Sequence, residues 1–556
     1  MQLKITSLAF FILLLGFSGK TQTWAWANSL GEVNGNTTVK NIRPYAGNDV
    51  LICGSFATPT LDLGTFTLSN AGQDDGYVAV MNESGQCNWT SRIGGSGRDF
   101  VVDAAAAPGG GIVAAGNFSS LSLTIGGASF FSSGETDAFV AKYNQDGSLA
   151  WAKKIGTADI DEISNVVVDA GGNTYVSGHV LDKLTLLTLH VFIRKLDAAG
   201  NMLWERKGLI QGGILQATAL AIDDDQHIYL GGSLYGTANF NGTNLSCDTS
   251  YAAYILKYNP SGTLADTYLN PDLDKVNSLK IHDDQVYLCA ESIHGGFGWG
   301  WPLSDSKIHT LKLTPNLDTH WHKTAGGENP LQSLDIARSI SVDELGNVYV
   351  AGYFFSDTLS YAGQVLPNFF NVNYYYPQIF VIKYSPEGDE VWAKSLGGIH
   401  WDEATSIHAI GDDKFYLGGY FESNPVNFGA YTLNNTGTLD SIYVHLRPAR
   451  FGRKTIGFLA LFDKDAIVGI RPQPGLGEVS LFPNPIADWL TVKFTIPTRS
   501  PLILQLRSAD GKLLIQRIHS GPVTDIQEDL SALTPGFYLI SLKTDQGMYV
   551  GKLLKL

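Results

Sequence analysis

Four aspartates stand at one position of a pattern that recurs along the chain: Asp99, Asp161, Asp335 and Asp402. Carboxylates close together can bind a cation or act as general acid and base on a polysaccharide, most clearly at Asp161-Glu162 and Asp402-Glu403. Asp161, Asp335 and Asp402 are therefore the candidate catalytic residues. The alternative is that each Asp caps a turn or bonds a neighbouring unit. Recurrence at one position of a repeat favours that structural role.

Two aromatic segments break the recurring pattern. HGGFGWGWPLSDS covers residues 294–306, and NFFNVNYYYPQ covers residues 368–378. Aromatic rings with small polar neighbours suit sugar rings or extended peptides, because they offer flat faces with polar edges. The candidate ligand-binding residues are Phe297, Trp299, Trp301, Tyr374, Tyr375 and Tyr376. The alternative is that these rings only cover the rim of the fold or pack against another part of the chain.

Other reactive residues carry less information. His320 and His322 place two imidazoles on one strand face, but two ligands do not make a metal site, so we expect no metal. The sequence has no G-x-S-x-G, H-E-x-x-H or P-loop motif and indicates no cofactor. There are 4 cysteines. We expect Cys53 and Cys87 to be unbridged, while a pairing of Cys247 with Cys289 stays open.

The elements that would position these residues are repeats. KYNQDGSLAWAKKIG (142–156) aligns without gaps with KYSPEGDEVWAKSLG (383–397), and a second signature recurs as GGNTYVSG (171–178) and LGNVYVAG (345–352). Seven copies can be traced, and each reads as four short alternating strands with tight Gly turns. This predicts an all-β, seven-bladed β-propeller over residues 23–450, with the blades around a central channel.

The GNVYVAG and KYxxxGxxxWAK motifs resemble the bacterial seven-bladed β-propeller repeat proteins. The resemblance implies the fold and says little about function, because these repeats occur in many secreted proteins.

The first residues bear on how the ring of blades closes. Lys4 and the apolar run from Ile5 to Phe17 predict a signal peptide over residues 1–22, and no second segment predicts a transmembrane helix. The seventh unit lacks a recognisable fourth strand, and WANSLG (26–31) aligns with WAKSLG (392–397). We therefore expect the N-terminal strand to complete the seventh blade beside Ile442–Leu446.

A different pattern follows the repeats. Residues 451–478 read as a Pro/Gly linker, and residues 479–556 predict a small β-sandwich. PNP (483–485), DGK (510–512), LSALTPGFY (530–538) and the terminal KLLKL resemble the C-terminal sorting domain of type IX secretion in Bacteroidota. The resemblance implies that residues 479–556 engage the type IX machinery, and that the cargo is released outside the cell or attached to surface lipopolysaccharide.

The net charge of the chain excludes one class of partner. The net charge of -15 excludes a broad basic surface of the kind that binds nucleic acid. We predict a secreted or cell-surface binding or scaffold protein that takes a glycan or protein ligand on the loop face of blades 5 and 6. The alternative is a polysaccharide hydrolase or lyase with carboxylates at the channel mouth.

Overall fold

The computed structural model is almost entirely β-structure, and no α-helix occurs among the residues it describes. The described residues are 23–31, 35–184, 187–294, 297–298, 301–302, 305–327, 333–361, 364–368, 376–437, 440–442, 450–452, 454–465, 479–482, 486–494, 501–508, 513–544 and 547–555. Two compact units divide at Lys464 and Asp465.

The strands of the first unit pair into four-stranded antiparallel blades, of which the described residues make seven. Blade 1 contains Thr37–Pro44, Val50–Phe56, Asp75–Met81 and Cys87–Gly95, and blade 2 contains Asp99–Ala107, Gly111–Phe118, Asp137–Tyr143 and Leu149–Ile155. Blade 3 contains Ile160–Val168, Thr174–Leu181, Thr188–Leu196 and the first half of Met202–Ile222, and blade 4 contains the second half of that strand, Ile228–Phe240, Thr243–Tyr258 and Leu264–Asn270. Blade 5 contains Lys275–His282, Gln285–His294, Asp305–Leu313 and Thr319–Ala325, blade 6 contains Ile336–Val342, Val348–Phe354, Gln378–Tyr384 and Glu390–Leu396, and blade 7 contains Asp402–Gly411, Lys414–Phe421, Ile456–Asp463 and Thr23–Leu30.

The first strands of the blades form the wall of a central channel. Each first strand contacts the first strand of the next blade, and that of blade 7 returns to that of blade 1. Apolar residues between neighbouring blades, such as Val39, Ile42 and Leu459, are buried and hold the ring together. The predicted propeller architecture is thus present.

The N-terminal strand completes blade 7, as expected, but its neighbour was predicted wrongly. Thr23–Leu30 pairs with Ile456–Asp463, with Trp26 opposite Leu461. Ile442 belongs instead to a small hairpin in which Asp440–Ile442 pairs with Arg450–Gly452, while residues 443–449 lie outside the described residues. The propeller therefore extends to Lys464, and the linker predicted to begin at residue 451 contains a blade strand.

Short hairpins follow the second strand of most blades. They include Thr60–Asp62 with Thr67–Ser69, Ser122–Ile125 with Ala128–Phe131, Thr358–Tyr361 with Gln364–Pro367, and Val426–Phe428 with Tyr431–Leu433. In blade 5, Phe297–Gly298 pairs with Trp301–Pro302 and Ser333–Leu334 adds to the edge of Asp305–Leu313. These hairpins and the links between blades lie at one end of the channel, which we call the loop face.

The second unit contains two antiparallel sheets. Val479–Phe482, Trp489–Phe494 and Asp525–Asp529 form one sheet, and Leu513–His519, Leu502–Ser508, Gly536–Thr544 and Gly547–Lys555 form the other. Alternate apolar side chains from both sheets, among them Leu490, Val492, Leu504 and Ile540, make one buried cluster. This is the β-sandwich that the sequence predicts.

Candidate functional site

The aspartates proposed as catalytic are structural. Asp335 is fully buried and accepts hydrogen bonds from the Gly327 N–H at 2.9 Å and the Ser356 hydroxyl at 2.5 Å. Asp402 accepts equivalent bonds from Gly398 at 2.8 Å and Ser423 at 2.6 Å. Each carboxylate ties the link before its first strand to the loop after its second strand, which explains the recurrence of Asp, Gly and Ser at these positions.

Asp161 holds the link before its first strand in a similar way. Its side chain is 2% exposed and accepts hydrogen bonds from both the backbone and the hydroxyl of Thr157, at 2.6 and 2.7 Å. The prediction that Asp161, Asp335 and Asp402 line the channel mouth is therefore wrong, because burial and local hydrogen bonds keep all three carboxylates away from a ligand. Burial also raises the pKa of Asp402 to about 7.

The aromatic segments are described only in part. Phe297 and Trp301 lie on the two strands of the blade 5 hairpin, whereas Trp299, Tyr374 and Tyr375 lie outside the described residues. Tyr376 is 3% exposed, and its ring packs edge-on against His400 with centroids 5.2 Å apart. For Tyr376 the prediction of an exposed binding ring is wrong, because this side chain packs inside the protein.

A feature that the sequence reading missed is the charge of the channel. Every first strand carries a β-bulge at the same place, and the bulge residues are Lys40, Val102, Ser164, Thr218, Asn277, Arg338 and Thr405. The residues three positions further along are Arg43, Ala105, Val167, Ala221, Lys280, Ser341 and His408. Since a bulge shifts the side-chain alternation, these two rows follow no simple period-2 pattern in the sequence.

Part of these two rows lines a polar cavity of about 60 Å³ inside the channel. Its wall includes Arg43, Asn277, Lys280, Arg338 and Thr405. The channel is therefore rich in basic groups, although the whole chain is acidic. Blades 1, 5, 6 and 7 supply these residues, whereas the matching positions of blades 2 to 4 are uncharged.

An ion pair near the loop face supplies an oriented guanidinium. The Arg338 Nε donates to Glu403 Oε1 at 2.9 Å, and its guanidinium lies 5.2 Å from the centre of the Tyr353 ring. The Glu403 side chain is 5% exposed, while that of Arg338 is 38% exposed. The carboxylate thus fixes one side of the guanidinium, Nη2 donates to the Tyr353 hydroxyl at 3.4 Å, and the side chain stays partly exposed.

Aromatic side chains surround the buried partner of this pair. Glu403 Oε2 accepts hydrogen bonds from the Tyr420 hydroxyl at 2.6 Å and from the Trp401 indole at 3.3 Å. The Trp401 ring packs edge-on against Phe355 with centroids 5.3 Å apart. Burial and the Glu403 carboxylate raise the pKa of Tyr420 well above its usual value, so its hydroxyl stays a donor. We call Tyr353, Arg338, Trp401, Glu403 and Tyr420 the mouth cluster.

Further basic groups lie close to the mouth cluster. Burial lowers the pKa of Lys40, and the charges of Arg338 and Lys275 lower it further while Glu403 raises it. Asn277 donates to Glu291 at 3.0 Å and so places that carboxylate beside the same wall. The wall therefore carries both signs of charge, with guanidinium and ammonium groups reaching the channel.

The described residues contain no group of three His, Cys, Asp or Glu side chains placed to hold a metal ion. All four cysteines are buried and unbridged. His322, one of the two histidines considered as a metal pair, instead lies 2.9 Å from the ring nitrogen of His309. None of the described helical segments is long and apolar enough to cross a membrane.

Comparison with known families assigns both units. Residues 480–555 match the family model of the secretion system C-terminal sorting domain, and residues 329–353 match the model of the beta-propeller repeat. The chain thus carries a type IX sorting domain, which indicates export to the cell surface or the extracellular space.

Whole-chain comparisons find only distant relatives. The chain is 19% identical to an uncharacterised WD repeat-containing protein of Acanthamoeba polyphaga mimivirus, over 75% of this chain and 33% of that protein, so it spans about a third of its length. Among solved structures, the phage phi92 endosialidase aligns over 90% of this chain and 74% of its own, with a TM-score of 0.35 and 10% identity. The polysaccharide lyase Uly1 aligns over 59% and 85%, with a TM-score of 0.30 and 10% identity. Similarity this weak gives no information about a ligand.

Proposed function

We propose that this exported β-propeller is a binding protein, and that it binds an acidic glycan at the loop-face mouth of its channel. The observation that carries the proposal is the Arg338 guanidinium, which Glu403 orients at 2.9 Å while 38% of the side chain stays exposed. A fixed guanidinium fork matches the geometry of a carboxylate or sulfate group, such as those on uronic acids and sulfated sugars.

Aromatic rings beside the guanidinium support a sugar rather than a free ion at the mouth. Trp401, a member of the mouth cluster, is partly exposed and directly precedes the first strand of blade 7. Sugar rings pack on indole and phenol faces while their hydroxyls reach polar neighbours. The loop-face segments of blades 5 and 6, which contain Phe297, Trp299, Trp301, Tyr374 and Tyr375, would extend this surface along a longer chain.

Catalysis through the recurring aspartates receives no support from their placement. The carboxylates of Asp161, Asp335 and Asp402 each accept local hydrogen bonds, so a hydrolase or lyase mechanism would need other groups. We therefore propose binding without cleavage. Incubation of the exported protein with an acidic polysaccharide should leave the polymer length unchanged on size-exclusion chromatography.

A glycan array probed with the full exported chain tests the proposal. We expect binding to glycans that carry carboxylate or sulfate groups, with little binding to their neutral counterparts. Trp401→Ala and the double variant Trp299→Ala/Trp301→Ala should weaken the signal. Arg206→Lys is the matched control, because Arg206 lies on the fourth strand of blade 3 and donates to Gly262 at 2.6 Å. Binding to unmodified peptides but to no glycan would refute the glycan assignment.

A further inference from the structure

Three basic residues from separate blades meet at one level of the channel. Arg43, Lys280 and His408 each lie three residues beyond the bulge of their first strand, in blades 1, 5 and 7. Arg43 and Lys280 line one cavity, the first strands of blades 1 and 7 are in contact, and the pKa of His408 is lowered by burial and by the charges of Lys280 and Arg43. We call these residues the lower basic cluster, because they lie further from the loop face than the mouth cluster.

One nearby carboxylate is already satisfied by other partners. Asp103 accepts two hydrogen bonds from Arg43, from Nε at 2.8 Å and from Nη2 at 2.7 Å. It also accepts from the Asn41 amide at 2.9 Å and the Val166 N–H at 3.0 Å. Asp103 is fully buried and fixes Arg43 in place, but its hydrogen-bonding capacity is used.

Lys280 and His408 have no such partner. Within the part of the chain that the structure describes, neither side chain makes a hydrogen bond or an ion pair, and the Nη1 of Arg43 makes none either. Arg43 and Lys280 line the channel cavity together with Asn41, Asn165 and Ser278. Lys280 is half-buried, and partial desolvation of an amine next to a guanidinium is costly unless an anion joins them.

Burial and this crowding of basic groups lower the pKa values of Lys280 and His408. Burial, followed by the charge of Arg43, lowers the pKa of Lys280 to about 7, although Asp103 acts in the opposite direction. Burial together with Lys280 and Arg43 lowers the pKa of His408 to about 3, so the imidazole is neutral and can still donate one N–H. The matching positions in the other blades are Ala105, Val167, Ala221 and Ser341, which shows that the fold does not require basic residues here.

We propose that the lower basic cluster is a binding site for a small oxyanion of the size and charge of phosphate or sulfate. The Arg43 Nη1, the Lys280 ammonium and the His408 imidazole would each donate to its oxygens, and the small polar side chains of the cavity would complete the shell. The cavity of about 60 Å³ has room for several water molecules, and one tetrahedral ion replaces them. This site lies further from the loop face than the mouth cluster, along the same cavity wall, and its proposal does not depend on the proposed glycan.

Isothermal titration of the full exported chain with sodium sulfate and with inorganic phosphate tests the site. The protein is first dialysed into chloride buffer, and ionic strength is held constant so that nonspecific salt effects cancel. We expect saturable binding at pH 6.5. Lys280→Met should weaken it roughly 10- to 100-fold, because one charge-assisted hydrogen bond is lost. Lys153→Met removes an exposed lysine from the outer strand of blade 2 and should bind like the wild type.

Two further variants distinguish this site from the mouth. Arg338→Lys, on the same cavity wall, should weaken sulfate binding less than Lys280→Met does, and His408→Phe should weaken it while folding normally. A larger loss of sulfate binding in Arg338→Lys than in Lys280→Met would place the ion at the mouth and overturn the proposal. Wild-type affinity in Lys280→Met would also overturn it, as would binding of free glucuronate with no binding of sulfate or phosphate.

Binding should weaken with rising pH. The groups that face Lys280 are Arg43, Asp103 and His408, with Arg338 further along the same cavity wall. The pKa of Lys280 is about 7, and its ammonium form is the one that donates to an anion. Affinity for sulfate should therefore fall above pH 7 in the wild type and stay flat in Lys280→Met. A flat wild-type profile would contradict the assigned role of Lys280.

Discussion

The indole Nε1 of Trp26 donates a 2.8 Å hydrogen bond to the carbonyl oxygen of Glu83, across the junction between blade 7 and blade 1. Trp151 makes the same bond to Ala198 at 3.0 Å, and Trp321 makes it to Pro386 at 3.2 Å. In each case the indole of one blade reaches the tight turn between the third and fourth strands of the next. The junction that closes the ring is therefore built like the junctions within the chain.

Removal of the Trp26 side chain should loosen that closing junction. Trp26 is 4% exposed, and we expect Trp26→Ala to lower the free energy of unfolding of the propeller by about 3–5 kcal/mol. Hydrogen–deuterium exchange should show the loss of protection first in Ile456–Asp463. Trp489→Ala, which truncates a 57% exposed indole in the C-terminal unit, is the control. Equal protection of Ile456–Asp463 in both variants would count against closure by this strand.

The turn glycines under these indoles give a second prediction. Gly147 has φ +82°, and a Cβ there would lie 2.3 Å from Nε1 of Trp89. Gly127 has a similar φ of +88°, but a Cβ there would meet nothing within 4 Å. Both Ala variants should lose about 1–2 kcal/mol of stability from the left-handed backbone. Gly147→Ala should lose about 1–3 kcal/mol more from overpacking. Equal losses in denaturant unfolding would show that the indole contact is not tight.

The buried aspartates should affect stability rather than binding. The folded pKa of Asp402 is about 7, above the unfolded value of about 3.9, because burial removes water from the carboxylate. The native state thus holds this proton more tightly, and the contribution of Asp402 to stability is lost as pH rises from about 4 to 7. Asp402→Asn should gain stability relative to the wild type over that window, in unfolding curves recorded at each pH. A stability difference between the two proteins that does not change with pH would contradict the raised pKa of Asp402.

Lys280 should have the opposite effect on the pH dependence of stability when no oxyanion is present. Its folded pKa is about 7 and the unfolded value is about 10.4, so the unfolded state binds more protons between these values and stability rises with pH. Lys280→Met removes this penalty. In chloride buffer the variant should be more stable than the wild type at pH 7, and the gain should shrink towards pH 10. A constant difference, as expected for Lys153→Met, would show that Lys280 is not desolvated.

The sequence alone predicts the architecture because the same contacts between blades recur in successive repeats. A Lys on the third strand, a Trp on the fourth strand and a Gly in the turn between them recur in most copies, so the copies can be aligned. Blade 7 was misread because Leu461 and Phe462 replace Lys and Tyr in its third strand. The loop before that strand is also longer than in the other blades.

The channel site could not be read from the sequence in the same way. Arg338 and Lys280 lie at neighbouring levels of one cavity only because a bulge in each first strand resets the alternation. The signal that was available is a departure from the repeat: blades 1, 5 and 6 carry Lys or Arg at these positions and blade 7 carries His408, whereas blades 2 to 4 carry none of these residue types. The aspartates, by contrast, recur at one position of the repeat, and such recurrence indicates a structural role.

The most direct test of the proposed function is the affinity of the full exported chain for an acidic oligosaccharide, measured by isothermal titration for the wild type and Arg338→Lys. The variant keeps the charge that balances the buried Glu403 but loses the planar fork. We predict that the acidic oligosaccharide binds the wild type, that its neutral counterpart does not, and that Arg338→Lys weakens binding roughly 10-fold or more. Equal affinities of wild type and Arg338→Lys, or equal binding of the acidic and neutral oligosaccharides, would contradict a glycan site at the channel mouth.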